Sequence, residues 1–166
     1  MDLINIRPAK IDDLKDITDI YNYAIEKTVA TFDTNLKTLE EQRIWFENHG
    51  HKNPIIVAEK DDEIVGWAAL TQYSTRCAYS DTAEISVYVK EKYQGKGVGR
   101  KLIEEVVKEG KKAGLHVLLA RITDGNKISI HLHESVGFEH VGILKEVGFK
   151  FDRCLDVYLM QKVYKN

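Results

Sequence analysis

Apolar residues recur along the chain with two different periods, and the places where the period changes mark the elements. Residues 3–9, "LINIRPA", alternate apolar and polar positions as a short strand does, and Pro8 suits its end. From Ile11 to about Val29 the spacing lengthens to three and four, so that Leu14, Ile17, Ile20, Tyr21, Ala24 and Ile25 share one face of a predicted helix. A shorter helix is predicted from Leu39 to His49, with Thr38 as its N-cap and Glu41 as the capping-box partner. "PIIVAEKDDEIVGWAALTQY" reads as two strands joined at Asp61 and Asp62, and "TAEISVYV" as a third, with Ala83, Ile85, Val87 and Val89 on one side. Helical spacing returns at Val98, Leu102, Ile103, Val106 and Val107, stops near Gly114, and gives way to the apolar strand "HVLLARI". A last helix is expected from Asn126 to Val136, and "GFEHVGILKEVGFKFDRCLDVYLMQKV" supplies two final strands with a long intervening turn. Trp45 and Trp67 are assigned to the core. Strands first gathered, then alternating with helices, predict a mixed α/β sheet.

Length and charge narrow what such a sheet can serve. The 166 residues suffice for one domain with a full core and are too few for two ordinary ones, so 1–166 is read as a single domain. Lysine plus arginine (24) nearly balance aspartate plus glutamate (26), so no global field points to nucleic acid or to an anionic membrane, and recognition must be local. Cys77 and Cys154 are too few and too far apart for a disulfide framework or a zinc site, which makes a reducing compartment the expectation and a metal site unexpected. The first residues hold no basic stretch followed by an apolar run, and nowhere do about 18 apolar residues follow one another, so a cytoplasmic protein is expected.

The candidate chemistry begins at "EKYQGKGVGRKL", residues 91–102, where three glycines fall within five residues between a strand and a helix. The first amides of a helix lack internal partners and carry partial positive charge, and glycine lets an anion come close to them, so phosphate is the natural guest. A bare tight turn is the bland alternative. A P-loop would need Ser or Thr after Gly-Lys, whereas Gly95-Lys96 leads to Gly97. A dinucleotide loop would need a third glycine where Arg100 stands, and an acidic residue about 20 positions on.

Gln94-x-x-Gly97-x-Gly99 following "ISVYV" resembles the acetyl-CoA loop of the GNAT N-acetyltransferase superfamily, and the order of elements along the whole chain, with Asn126 opening the helix that ends in "LHESVGF", resembles it too. Within the superfamily, "RCAYSDTAEISVYV", "LHESVGF" and "GFKFDRCLDVYLMQ" are similar to the phosphinothricin and methionine sulfone acetyltransferases. The resemblance implies the acyl-CoA N-acyltransferase fold, a central twisted and mostly antiparallel sheet flanked by helices. It implies acetyl-CoA as cosubstrate without a metal. The pyrophosphate would lie on the amides of Gly95, Lys96, Gly97, Val98, Gly99 and Arg100, beside Gln94, and the pantetheine arm along Val87, Tyr88 and Val89. Asn126 and Ser129 are placed on the same cofactor side. Lys96 and Arg100 could add charge, although such side chains are often merely solvated.

Acetyl transfer to an amine needs a neutral amine, a stabilised oxyanion and a proton for the departing thiolate. Glu84 interrupts an apolar strand, where a charge is costly unless used or paired; the resemblance makes it the general base, acting through water, against an outward-facing strand glutamate. His133 stands where many superfamily members carry a tyrosine that protonates the coenzyme A sulfur, and the subfamily resembled also has histidine there; imidazolium as acid and imidazole as base both stay open, and nearby His131 shows how little occurrence alone proves. The oxyanion would meet a backbone amide near Val87. Arg76 and Tyr79, in "RCAY", form a sensible pair for an α-carboxylate or phosphinate, against an exposed arginine and a packing tyrosine. Phe32 is a candidate aromatic on the substrate side, with core packing as the alternative.

The expected activity is direct acetylation of the α-amine of a small amino acid or analogue of the phosphinothricin, methionine sulfone or sulfoximine type. A protein N-terminus or an aminoglycoside as acceptor, and a non-catalytic acetyl-CoA sensor, are the rivals. Resemblance and the frequency of symmetric dimers predict a homodimer.

Overall fold

The structure is a computed structural model that describes residues 3–165. Among the described residues, seven strands form one sheet in the order β1-β2-β3-β4-β5-β7-β6. They are β1 (Asn5–Pro8), β2 (Ile55–Lys60), β3 (Glu63–Gln72), β4 (Thr82–Val89), β5 (Val117–Thr123), β6 (Glu139–Lys150) and β7 (Arg153–Val163). Only β4 and β5 run parallel; every other neighbouring pair is antiparallel.

Helices cover both faces. On one, α3 (Val98–Lys112) lays Leu102, Ile103, Val106 and Val107 against Ile56, Val65, Ala68, Leu70 and Ile85 of the strands, as the three-and-four spacing predicts. On the other, α1 (Leu14–Lys27), entered through a 3₁₀ turn at Ile11–Asp13, packs Ile17 and Ile20 on Ile55, Val57, Trp67 and Ala69. Next to it lies α2 (Leu39–Glu47), held at its start by the expected capping box: Thr38 Oγ1 accepts from the Glu41 amide at 3.1 Å, and the Glu41 carboxylate from the Thr38 amide at 2.8 Å. Trp67 is buried in this core, while Trp45 is half-buried and covers it edge-on at 5.4 Å. Asp61 and Asp62, both with positive φ, form the two-residue turn between β2 and β3.

The long turn expected before the last strand does not exist. β6 runs for twelve residues to a two-residue turn at Phe151 and Asp152, both with positive φ, and its pairing with β7 is broken by irregularities at His140/Gly142 and Leu144/Gly148. The misreading has a physical cause. β6 is an edge strand whose apolar residues, Val141, Ile143, Leu144, Val147 and Phe149, are all exposed, and the two irregularities break the alternation that a half-buried strand would show.

Candidate active site

The register of β4 creates the site. It pairs with β3 over its whole length, but with β5 only from Thr82 to Glu84, opposite Val117 to Leu119; beyond Glu84 the two parallel strands part. The ladder bonds Tyr73 N–H to Thr82 O and Lys90 N–H to Val65 O fix the phase of the β3 pairing. Even-numbered residues of β4 exchange bonds with β3, so the main-chain groups of Ile85, Val87 and Val89 face the open side. A cavity of about 540 Å³ fills the split, walled by Ile85–Tyr88 on one side and Ala120–Thr123 on the other.

The glycine loop lies at the end of β4, after a 3₁₀ turn at Glu91–Tyr93. Gln94 Nε2 donates to the Val89 carbonyl at 3.1 Å and ties the loop to the strand end. Gly95 (φ 72°) and Gly97 (φ 84°) take left-handed backbone conformations, and a Cβ at either would meet nothing within 4 Å. Glycine is therefore required there by the backbone, and the ground in front of the loop is open. Gly97 is also the N-cap of α3, whose first backward bond runs from Lys101 N–H to Gly97 O at 3.2 Å. The amides of Val98, Gly99 and Arg100 consequently have no acceptor inside the helix. Lys96 sits 5.7 Å from the Tyr93 ring centre, and Arg100 is 3.9 Å from Glu104.

Glu84 and His133 both wall the cavity. Glu84 is not a lone carboxylate: Arg121 Nε and Nη2 donate to its two oxygens at 2.7 and 2.9 Å, a bidentate fork that raises the Arg121 pKa further above its ordinary value. Tyr73 lies edge-on to Tyr79 at 5.2 Å. His133 is buried against Phe138, and its Nδ1 lies 2.7 Å from the Ser129 carbonyl oxygen. A carbonyl can only accept, so the ring proton sits on Nδ1 and Nε2 keeps its lone pair. Burial lowers the His133 pKa, so the ring is neutral at pH 7. α4 (Lys127–Ser135) holds this histidine and is capped by Asn126, whose Oδ1 accepts from the Ser129 amide at 3.2 Å.

The far wall is the loop between α1 and α2. Thr123 Oγ1 donates to Val29 O at 2.6 Å, the buried Lys150 ammonium donates to Thr31 O at 2.9 Å, and the Tyr21 hydroxyl bonds to both Thr31 and Asp33. Phe32 is wedged against Gly148 and keeps about a third of its surface exposed on the cavity wall. Tyr88 stands behind this loop among Tyr21 and Trp67, where burial pushes its hydroxyl up to about 12.

A model of the Acetyltransferase (GNAT) domain matches residues 6–159. The chain belongs to the GNAT acetyltransferases. It is 36% identical over 159 residues to the L-methionine sulfoximine/L-methionine sulfone acetyltransferase of Pseudomonas aeruginosa, covering 95% of this chain and 92% of that one. A GNAT superfamily phosphinothricin acetyltransferase from Sinorhizobium meliloti, in complex with acetyl-CoA, superposes with a TM-score of 0.93 at 32% identity, covering 96% of this chain and 88% of that one. A ribosomal-protein-alanine N-acetyltransferase from Brucella melitensis superposes equally well, at 0.93 and 40% identity, covering 96% and 99%.

For a GNAT enzyme, the residues named from sequence divide into two sets. Glu84, Val87, Tyr88, Asn126, Ser129, His133 and Phe32 meet on one cavity, with the Gln94–Arg100 loop at the end of its β4 wall. Arg76 and Tyr79 are not in the lining of that cavity: both are exposed, Arg76 leading into a 3₁₀ turn at Cys77–Tyr79 and Tyr79 lying edge-on to Tyr73. Sequence reasoning missed Arg121, Asp33 and Lys150. A signal for Arg121 was present, because it interrupts the apolar strand "HVLLARI" as Glu84 interrupts its own. Among the described residues no cluster of three or more histidine, cysteine or acidic side chains is arranged to hold a metal.

Proposed function

We propose that this GNAT enzyme transfers the acetyl group of acetyl-CoA directly to the α-amine of a small amino acid or an oxidised-sulfur or phosphinate analogue. The observation that carries the reading is the split between β4 and β5, with an anion-ready helix start at one end and Glu84 in its wall. The acetyl-CoA site fits the residues present: the left-handed Gly95 and Gly97 leave open ground before the free amides of Val98, Gly99 and Arg100 for a pyrophosphate, with Lys96 and Gln94 alongside. Val87 turns its main-chain groups, and Val89 its amide, to the open side of β4 for the pantetheine arm, and Asn126 and Ser129 line the same cavity as Val87.

Bound there, acetyl-CoA supplies an activated thioester. Glu84 receives the proton of the incoming ammonium, directly or through a water, on an oxygen lone pair that Arg121 leaves free. The main-chain amide of Val87, on the open side of β4, would stabilise negative charge on the acyl oxygen of a thioester held there. His133, neutral and with Nε2 unprotonated, is an acceptor in the resting enzyme, and would have to gain a proton before it could serve as an acid.

The likeness to the ribosomal-protein-alanine N-acetyltransferase favours a second reading, acetylation of a peptide N-terminus. A coenzyme A-release screen over methionine sulfone, methionine sulfoximine, phosphinothricin, the standard amino acids and an alanine-initiated peptide separates the two. Turnover of free amino acids is expected, and turnover of the peptide alone overturns the reading. The exposed Val141, Ile143, Val147, Phe149 and Phe151 on and beside the edge strand β6 support a homodimer, which sedimentation tests; a monomer at micromolar concentration overturns it. Two free, exposed cysteines fit a reducing compartment, the cytoplasm.

A further inference from the structure

Arg121 is the sole lysine or arginine among the described residues that wall the cavity. Lys150 is spent on the Thr31 carbonyl, and Arg76 lies off the wall. The acids on the same wall are Asp33, bonded to Tyr21, and Glu84. An anionic group entering the cavity therefore meets Arg121 or goes without a cationic partner.

The position of Arg121 follows from the sheet. Glu84 pairs with Leu119 in the last register step before β4 and β5 part, and Arg121 is two residues further along β5, so its side chain leaves the same face as Leu119. That brings guanidinium and carboxylate together across the top of the split. Their mobilities differ. The Glu84 side chain is 22% exposed and anchored on a central strand, whereas the Arg121 side chain is 62% exposed, and a pair with so open a partner is held weakly. The two bonds to Glu84 also use only two of the five N–H donors of the guanidinium.

Resting on the amino-acid reading above, we propose that Arg121 reads the free α-carboxylate of the acceptor, and that the Glu84–Arg121 pair is the socket into which the amino-acid zwitterion inserts. The carboxylate takes the planar fork of Arg121, and the ammonium, one carbon away, turns to Glu84. Each charge of the resting pair is replaced by the complementary charge of the substrate, so neither protein group is left unpaired. Insertion also delivers the amine to the carboxylate that deprotonates it. A peptide N-terminus offers Glu84 an ammonium but offers Arg121 no carboxylate at that spacing, so the pair selects free amino acids over peptides. Arg121 is thus a specificity residue, and Glu84 the residue that handles the proton.

The test compares methionine sulfone, its carboxamide and an alanine-initiated peptide on wild type, Arg121→Gln, Arg121→Lys and Arg76→Ala, with acetyl-CoA affinity measured by calorimetry. Arg121→Gln is expected to lower kcat/KM for the free acid roughly 10- to 100-fold, chiefly through KM, the loss that one charge-assisted bond carries. The carboxamide should change less than about two-fold, by the same comparison of bound and lost charge. Arg121→Lys should recover part of the loss, because an ammonium keeps the charge and not the fork. Acetyl-CoA affinity should be unchanged. Equal loss on acid and carboxamide means that Arg121 only positions Glu84 and overturns the proposal, as does a selective loss in Arg76→Ala in place of Arg121→Gln. Both outcomes leave the amino-acid reading standing. A wild type that acetylates the peptide and none of the free acids overturns that reading first, and this one with it.

Discussion

The two walls of the cavity present different kinds of group to a guest. The β4 edge and the glycine loop offer backbone: main-chain groups of Val87 and Val89 and the free amides that begin α3, with side chains contributing little. The opposite wall offers side chains, and each is held by a partner far away in sequence. Arg121 reaches back 37 residues to Glu84 and Thr123 94 residues to Val29, while Lys150, buried and outside the lining, braces the wall across 119 residues at Thr31. A backbone site constrains sequence only where a side chain would spoil it, so it tolerates change everywhere except at its glycines. A side-chain site depends on every partner, and one substitution can retune it.

The sharpest break of this contrast is at Gly97. Its φ of 84° is one that a β-branched residue does not adopt without strain of about 1–3 kcal/mol, yet a Cβ there touches no protein atom. Gly97→Val should therefore fold and lose measurable acetyl-CoA binding by calorimetry. A folded variant with wild-type affinity would remove the loop from acetyl-CoA recognition. Glu84→Gln attacks the side-chain chemistry instead, where β4 meets Arg121. Turnover should fall roughly 10²–10⁴-fold, the range of general-base contributions, while acetyl-CoA affinity holds, because Glu84 lies off the loop. Wild-type turnover across pH in that variant would take Glu84 out of the mechanism.

The same contrast governs how much could be read from the chain. The β4-loop-α3 unit was legible because its determinants are contiguous: an alternating strand, glycines where the backbone turns left-handed, and a three-and-four apolar spacing whose Val98, Leu102, Ile103, Val106 and Val107 are all buried. Local preference and tertiary packing agree there. The side-chain wall was legible only in part. Glu84 and His133 could be named, but the partner of Glu84 could not, because β-sheet register brings Arg121 to it and spacing along the chain carries no trace of register. The sequence reading puts the anion contact at Arg76, in the loop before Glu84, and the fold leaves Arg76 exposed and outside the cavity lining. The two final strands are present, but the long turn expected between them is not, for a related reason: an edge strand open to solvent is not obliged to alternate.

The smallest expected effect separates the walls most cleanly. Gly148 has an ordinary extended conformation, so alanine there costs nothing in backbone strain; the obstacle is Phe32, whose Cδ2 and Cζ would lie 2.6 Å from the new Cβ. Overpacking a tight contact costs about 1–3 kcal/mol when nothing can move. Phe32 can move, since about a third of it is exposed, so the ring should swing outward and carry the Thr31–Asp33 stretch with it. Neither Phe32 nor Gly148 belongs to the β4 edge or the glycine loop, and acetyl-CoA affinity in Gly148→Ala should equal that of wild type. The amine KM should rise a few-fold, about 1 kcal/mol of lost acceptor binding by the usual conversion of one factor of ten to about 1.4 kcal/mol. Adding Phe32→Leu, a smaller and more flexible side chain, should restore part of that loss, and the double-mutant cycle on amine KM would show coupling between the two positions. If calorimetry instead finds weakened acetyl-CoA binding with the amine KM unmoved, Phe32 and Gly148 serve the donor side, and the division of the cavity into a backbone wall and a side-chain wall fails at this point.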